Sequence, residues 1–262
     1  MIGAPIYLAL FYGMREERQV LRGQRSDSRH PYPGISAGKR RSMFDIHYFL
    51  EVLPKVFAKT PVTLEIALIA AFFSLLLGMI IAVIAYYRLP LLYPAARAFV
   101  SFMRGTPIVA QLYFFYFGVA VYSALVRDMT PVTAVSLVLS LNVGAFMSES
   151  IRAALLSVDD GQREAALSLG MSNLQIVRRI IIPQAFRVAL PPLFNDFINL
   201  IKASSLAFML GVPDIMGAAR TEGSRTYRYF EIYGAVMVVY WVVITAFDFL
   251  RKLLEKRCAA AF

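Results

Sequence analysis

Residues 62–87 read VTLEIALIAAFFSLLLGMIIAVIAYY, an unbroken apolar run of 26 residues whose only charge, Glu65, lies near its start. About 20 apolar residues suffice for a helix to cross the hydrocarbon of a bilayer. A run of this length with no internal proline therefore reads as a membrane-spanning helix. A strand of a membrane barrel would instead alternate apolar and polar residues at every second position. Working outward, four more such runs appear, at 107–126, 131–151, 188–212 and 229–249. Pro107 and Pro131 open two of them, where proline suits a first helical turn. The run at 188–212 is the most polar. The last carries Trp241 and ends at Arg251 and Lys252. The expected fold is all-α: a polytopic membrane protein with five transmembrane helices.

Composition agrees. Of 262 residues, 58% are hydrophobic and 17% charged, with a mean hydropathy of +0.60, whereas soluble domains carry roughly 25% charged residues. Cys258 is the single cysteine, so no internal disulfide and no cysteine-based metal site can form. The net charge of +10 sits in short stretches beside the apolar runs, not on one folded basic face, which points away from nucleic acid. Residues 1–13 are apolar, but no basic region precedes them and charges follow from Arg15, so they do not read as a secretory signal.

Lys and Arg counts orient the bundle. The connections between the first and second and between the third and fourth runs, with the C-terminal tail, hold twelve. The opposite side holds six. The first group is placed in the cytoplasm, with the C-terminus inside. Residues 1–42 hold eight more, and RGQRSDSRHPYPGISAGKRR (22–41) has the composition of a disordered segment. We read 1–42 as an extension, Met43 as the natural start and 43–258 as the membrane domain. Residues 43–57, MFDIHYFLEVLPKVF, read as a short interfacial amphipathic helix.

The connection between the third and fourth runs, SVDDGQREAALSLGMSNLQIVRRIIIPQAFR (157–187), is too long for a passive turn. Asp159 and Asp160 offer N-cap chemistry for a short helix from Gln162 to Leu169. Gly170 permits a left-handed turn, and a second helix from Asn173 to Ile181 follows until Pro183 stops it. The result is a rigid knob on which Ala165 and Ala166 present a small surface and Glu164 a charge. Such a knob can carry motion from a soluble partner into the bundle.

Polar residues inside apolar runs are functional candidates because burial in hydrocarbon disfavours them. Asn142 and Glu149 share one face of the third run. Asn195, Asn199 and Lys202 fall at i, i+4 and i+7 on the fourth. Lys202 and Glu149, facing a common cavity, would suit the carboxylate and amino group of a zwitterion. The plainer alternatives are a snorkelling Glu149, interhelical hydrogen bonds from the asparagines, and an ion pair of Lys202 with Asp196 or Glu149.

Glu164-Ala165-Ala166, three residues, Gly170, nine residues, then Ile180-Ile181-Ile182-Pro183 resembles the EAA loop of bacterial ABC-importer permeases, with Ile182 where leucine is usual. Arg104-Gly105-Thr106-Pro107 followed by IVAQLYFFYFG is similar to the RGTP stretch of the polar amino-acid permeases of the histidine/glutamine type. The resemblance implies a permease in the bacterial inner membrane whose Glu164, Ala165, Ala166, Gly170, Ile180 and Pro183 couple to cytoplasmic ABC ATPase subunits. It also implies a second permease, identical or related, and an extracytoplasmic substrate-binding protein. No phosphate-binding loop G-x-x-x-x-G-K-[ST] occurs, so no cofactor is expected on this chain and ATP and Mg²⁺ are placed on the ATPase. The expected function is uptake of a polar amino acid, with cystine, other sulfur-containing amino acids or opines as alternative cargo. A stand-alone secondary transporter would show internal repeats and more crossings. A membrane-embedded enzyme would need a ligand cluster, and His30 and His47 both precede the first run.

Overall fold

The computed structural model describes residues 44–260. The expected extension 1–42 lies outside the described residues. Helix α1 spans Ile46–Phe57 and α2 Thr60–Tyr86. Helix α3 is Tyr93–Gly105 and α4 Ile108–Tyr122. Short α5 (Ala124–Arg127) precedes α6 (Pro131–Leu156). Then come α7 (Asp160–Ser168), α8 (Asn173–Ile176) and α9 (Ile182–Ala203). Helices α10 (Ile215–Thr226) and α11 (Tyr229–Ala260) complete the described chain, which contains no strand.

Four helical runs are long and apolar enough to cross a membrane: Ile46–Tyr86, Pro131–Leu156, Asn173–Leu210 and Tyr229–Arg257. The bent pair α3 and α4 makes a fifth, so the expected number of crossings stands. Its form differs from the straight span expected at 107–126, because α3 and α4 meet at 108°. The break is local chemistry. Thr106 precedes Pro107 and takes the extended conformation (φ −118°, ψ 146°) that a following proline favours. Helix α3 also occupies what the sequence reads as a loop. Beyond the break, α4 widens into a π turn at Phe114–Val119.

Helices α2 and α6 cross through a seam of small residues. Gly78 lies so close to α6 that a Cβ there would sit 3.0 Å from the Met147 Cβ. A Cβ on Gly144 would meet Leu77 Cδ2 at 3.0 Å and the Ser74 carbonyl at 3.2 Å. Ser74 Oγ donates to the Ser140 carbonyl at 3.2 Å, and Ser140 Oγ to the Ser136 carbonyl at 2.6 Å. Close backbone approach through small residues is the packing available where lipid offers no hydrophobic drive between helices. Ile66, Leu139, Leu200, Ile201, Ile232 and Val239 fill the core around this seam. Phe72, Phe73, Phe114, Met237 and Trp241 stay bare on the outside, as residues destined for hydrocarbon do.

The amphipathic helix expected at 43–57 forms as α1, but it runs on into α2 as one stretch of 41 residues. At 1.5 Å per residue that is about 60 Å, twice the hydrocarbon thickness, so α1 and its charges project beyond the apolar zone. Asp45 caps α1, accepting from the amides of His47 and Tyr48. At the same place α1 is tied to the α10–α11 corner. Arg228 Nη1 donates to Asp45 Oδ2 at 2.8 Å, and its guanidinium lies 4.4 Å from the Tyr48 ring centroid. Tyr48 Oη donates to Glu222 at 2.9 Å. The Tyr48 amide first, and Arg228 after it, hold the Asp45 carboxyl below its ordinary range.

Candidate functional site

The connection between α6 and α9 is a helical hairpin built by its own capping residues. Asp159 Oδ1 accepts from the Gly161 amide at 2.8 Å and starts α7. Gly170, at φ +77°, ends it in the left-handed conformation that glycine adopts without steric penalty. The Met171 amide then reaches back to the Ala166 carbonyl at 3.1 Å. Ser172 and Gln175 form a reciprocal capping box that starts α8. Gln184 donates to both Gln162 and the Ile180 carbonyl, tying the two arms together.

Two details differ from the sequence reading. Pro183 does not stop the second helix. Val177–Ile181 forms a π turn in which the Ile182 amide bonds to the Val177 carbonyl, five residues back. The wider turn relieves the clash that a proline ring makes with the carbonyl four residues before it. The helix therefore continues, and Asn173–Leu210 is one run of 38 residues. The span expected at 188–212 accordingly begins at Ile182. The second correction concerns Ala166, which is not part of the presented surface. It is 3% exposed and packs with Ile176 and Ile181 in the hairpin's own small core, with Met171, Val177 and Ile180 around them. It is small because the arms approach closely there.

Glu164 and Ala165 are exposed as expected, and three leucines that the sequence reading passed over stand beside them. Leu169 is 83% exposed, Leu174 77% and Leu167 47%. Leucine recurring in an otherwise polar connection is the signal that would have found them. The hairpin is thus rigid and capped, and it bears bare leucines beside a carboxylate.

Inside the bundle, the structure brings some polar candidates together and separates others. Asn195, Asn199 and Lys202 share one exposed face of α9, and Lys202 has no ion-pair partner among the described residues. Glu149 pairs within α6 with Arg152 at 2.7 Å, and no hydrogen bond or ion pair joins it to Lys202. Asn142 is buried and structural in its contacts. Its Nδ2 donates to the Met103 carbonyl at 2.9 Å and to Gln111 Oε1 at 3.0 Å. Gln111 Nε2 in turn donates to Thr106 Oγ1 at 2.7 Å. Asn142 and Gln111 thus clamp the α3–α4 bend onto α6. Gln111 is the partner that spacing alone did not disclose. Asp196, half-buried on α9, accepts from Ser150 Oγ at 3.4 Å. Arg104 places its guanidinium 5.3 Å from the Phe146 ring centroid.

Residues 74–259 match the family model described as "Binding-protein-dependent transport system inner membrane component". The chain is 43% identical over 201 residues to a Vibrio harveyi protein named "Probable amino-acid ABC transporter permease protein PatM", covering 77% of this chain and 90% of the relative. It is 36% identical over 218 residues to the L-cystine transport system permease protein TcyL of Bacillus subtilis (strain 168), covering 82% and 91%. A solved structure titled "Crystal structure of an amino acid ABC transporter with histidines" superposes with a TM-score of 0.73 at 33% identity, covering 82% of this chain and 99% of that one.

Proposed function

Because this chain belongs to the family of binding-protein-dependent transport system inner membrane components, we propose that it forms the pathway by which an ABC importer takes a polar amino acid across the membrane. The relatives named for amino-acid transport support that cargo class, and the cystine permease among them keeps sulfur-containing amino acids within it. The energy source is a separate ATPase, received at the α7–α8 hairpin. The observation that carries this reading is the exposed surface of Glu164, Ala165, Leu167, Leu169 and Leu174 on a hairpin continuous with α9. An ATP-driven motor needs a rigid, partly apolar handle joined directly to a transmembrane helix. Gly170 sets the geometry of that handle, and Ile180 and Pro183 lie where it passes into α9. The excess of basic residues on the side of the hairpin and the C-terminus supports a cytoplasmic position for both. A substrate-binding protein then meets the opposite end, where α1, α10 and the start of α11 assemble.

The exposed face of Asn195, Asn199 and Lys202 is the candidate lining of the path, shared with a second permease. A fixed cation among amide side chains suits the carboxylate of an amino acid. With Glu149 engaged by Arg152, its role with the substrate amine requires that pair to open.

Replacing Glu164 by Lys, or Gly170 by Pro, tests the coupling role in vesicles containing the complex. Uptake should fall to background while membrane insertion is unchanged. Normal uptake in both variants would remove the hairpin from the mechanism. Lys202→Met should weaken transport affinity while leaving the ATPase bound.

A further inference from the structure

Helices α2, α6 and α9 do not close against one another along their whole length. Between them lies a crevice of about 510 Å³ lined only by apolar side chains, among them Leu75, Met79, Ile151, Phe186 and Leu193. The α9 wall runs from Ile182 to Phe197, roughly 22 Å at 1.5 Å per residue. Half of a hydrocarbon core is only about 15 Å thick, so the wall can take one acyl chain along its full length. The crevice also faces away from the polar path. Phe186, Leu190, Leu193 and Phe197 lie on the side of α9 opposite Asn195, Asn199 and Lys202.

The end of the crevice nearest the hairpin is basic. Arg88 follows α2 five residues after Val83, while Arg178 and Arg179 occupy the turn just before Ile182. All three are exposed, and none has an acidic partner among the described residues. Arg178 and Arg179, with Leu174 and Gln175, frame a second hollow of about 380 Å³. An apolar slot of acyl length ending at unpaired guanidinium groups matches a lipid with an anionic headgroup. A helix of a second copy would fit the slot but would leave the arginines unused.

We propose that the α2–α6–α9 crevice binds an anionic phospholipid, its acyl chain along the apolar walls and its phosphate at Arg178 and Arg179, with Arg88 on the opposite rim. The lipid then touches the root of the coupling hairpin and α9 at once, so its affinity depends on how far α9 stands from α2. The proposal rests on the membrane reading and is independent of the transported substrate.

The test uses the permease co-purified with its ATPase in phosphatidylcholine nanodiscs. It is photolabelled with phosphatidylglycerol or phosphatidylcholine carrying the same diazirine in one acyl chain. Label should concentrate on peptides from the crevice walls, with phosphatidylglycerol favoured by about thirtyfold, the scale expected of two basic residues beside an anionic headgroup. Arg178→Gln with Arg179→Gln should abolish the preference and leave acyl labelling in place. Ala189→Trp, which fills the slot, should abolish the labelling. The proposal is overturned if the unaltered complex labels equally with both lipids. It is also overturned if label on Phe114 and Phe117 of α4 matches that in the crevice, or if cross-links from the crevice walls lead to a second permease copy.

Discussion

Asp214 shows how one residue can oppose the fold that it helps to build. It caps α10, accepting from the Gly217 amide at 2.8 Å, yet it is fully buried and its second carboxylate oxygen has no hydrogen-bond partner among the described residues. Burial pushes the carboxyl from 3.8 up to about 6, against the pull of the Gly217 and Met216 amides. The folded state therefore holds the Asp214 proton more tightly than the unfolded chain does. Stability from this group is greatest at or below pH 4, falls as pH rises toward 6, and is level above that. The full difference amounts to about 3 kcal/mol at neutral pH. Asparagine caps a helix as well as aspartate does and carries no charge. Asp214→Asn should therefore raise the melting temperature of the detergent-solubilised protein at pH 8 and leave it unchanged near pH 4. An equal shift at both pH values would mean that the side chain acts through packing and not through its charge.

At the scale of elements, the packing of α2 on α6 depends on residues that a hydropathy reading treats as filler. Gly144→Leu forces a side chain into the Ser74 carbonyl and Leu77. Overpacking of this kind costs about 1–3 kcal/mol, and the loss should appear in a thermal melt and in aggregation after solubilisation. Gly105→Ala is the control, because a Cβ there meets nothing within 4 Å, and it should be neutral. The spans were legible from length and hydropathy because hydrocarbon demands both. The seam was written at Ala70, Ser74 and Gly78, four residues apart, but that pattern predicts contact only once a partner helix is known. The α3–α4 bend was half legible. Pro107 was recognised as a helix start, while the helix before it was hidden by Arg97 and Arg104, which read as loop charges. Pro183 misled for the opposite reason. A proline normally ends a helix, and here one wider turn absorbs it.

For the whole molecule, the end proposed for coupling was readable and the end proposed for substrate binding was not. Gly170 permits a left-handed turn and Asp159 and Asp160 offer a helix start, so local chemistry drew the hairpin, although the Ser172 cap of its second arm emerged only in the structure. Asn142 draws its partners from α3 and α4, which spacing along α6 could not disclose, while Glu149 pairs with Arg152 on its own helix and Lys202 has no ion-pair partner among the described residues. The structure joins the two ends mechanically. The second arm of the hairpin, the π turn and the polar face lie on the single run Asn173–Leu210, roughly 55 Å of nearly continuous helix, with Pro191 and Pro192 at its middle. If motion of the ATPase reaches Asn195, Asn199 and Lys202, it travels along this rod. Two glycines inserted after Ile181 would keep both segments and remove the stiff connection, since glycine is the most flexible residue in a helix interior. Uptake into vesicles should then fall at least about tenfold, a coupling change of about 1.4 kcal/mol or more, while the ATPase still co-purifies and hydrolyses ATP. Undiminished uptake with the insertion in place would show that coupling bypasses α9 and enters the bundle through α6, the other helix to which the hairpin is joined.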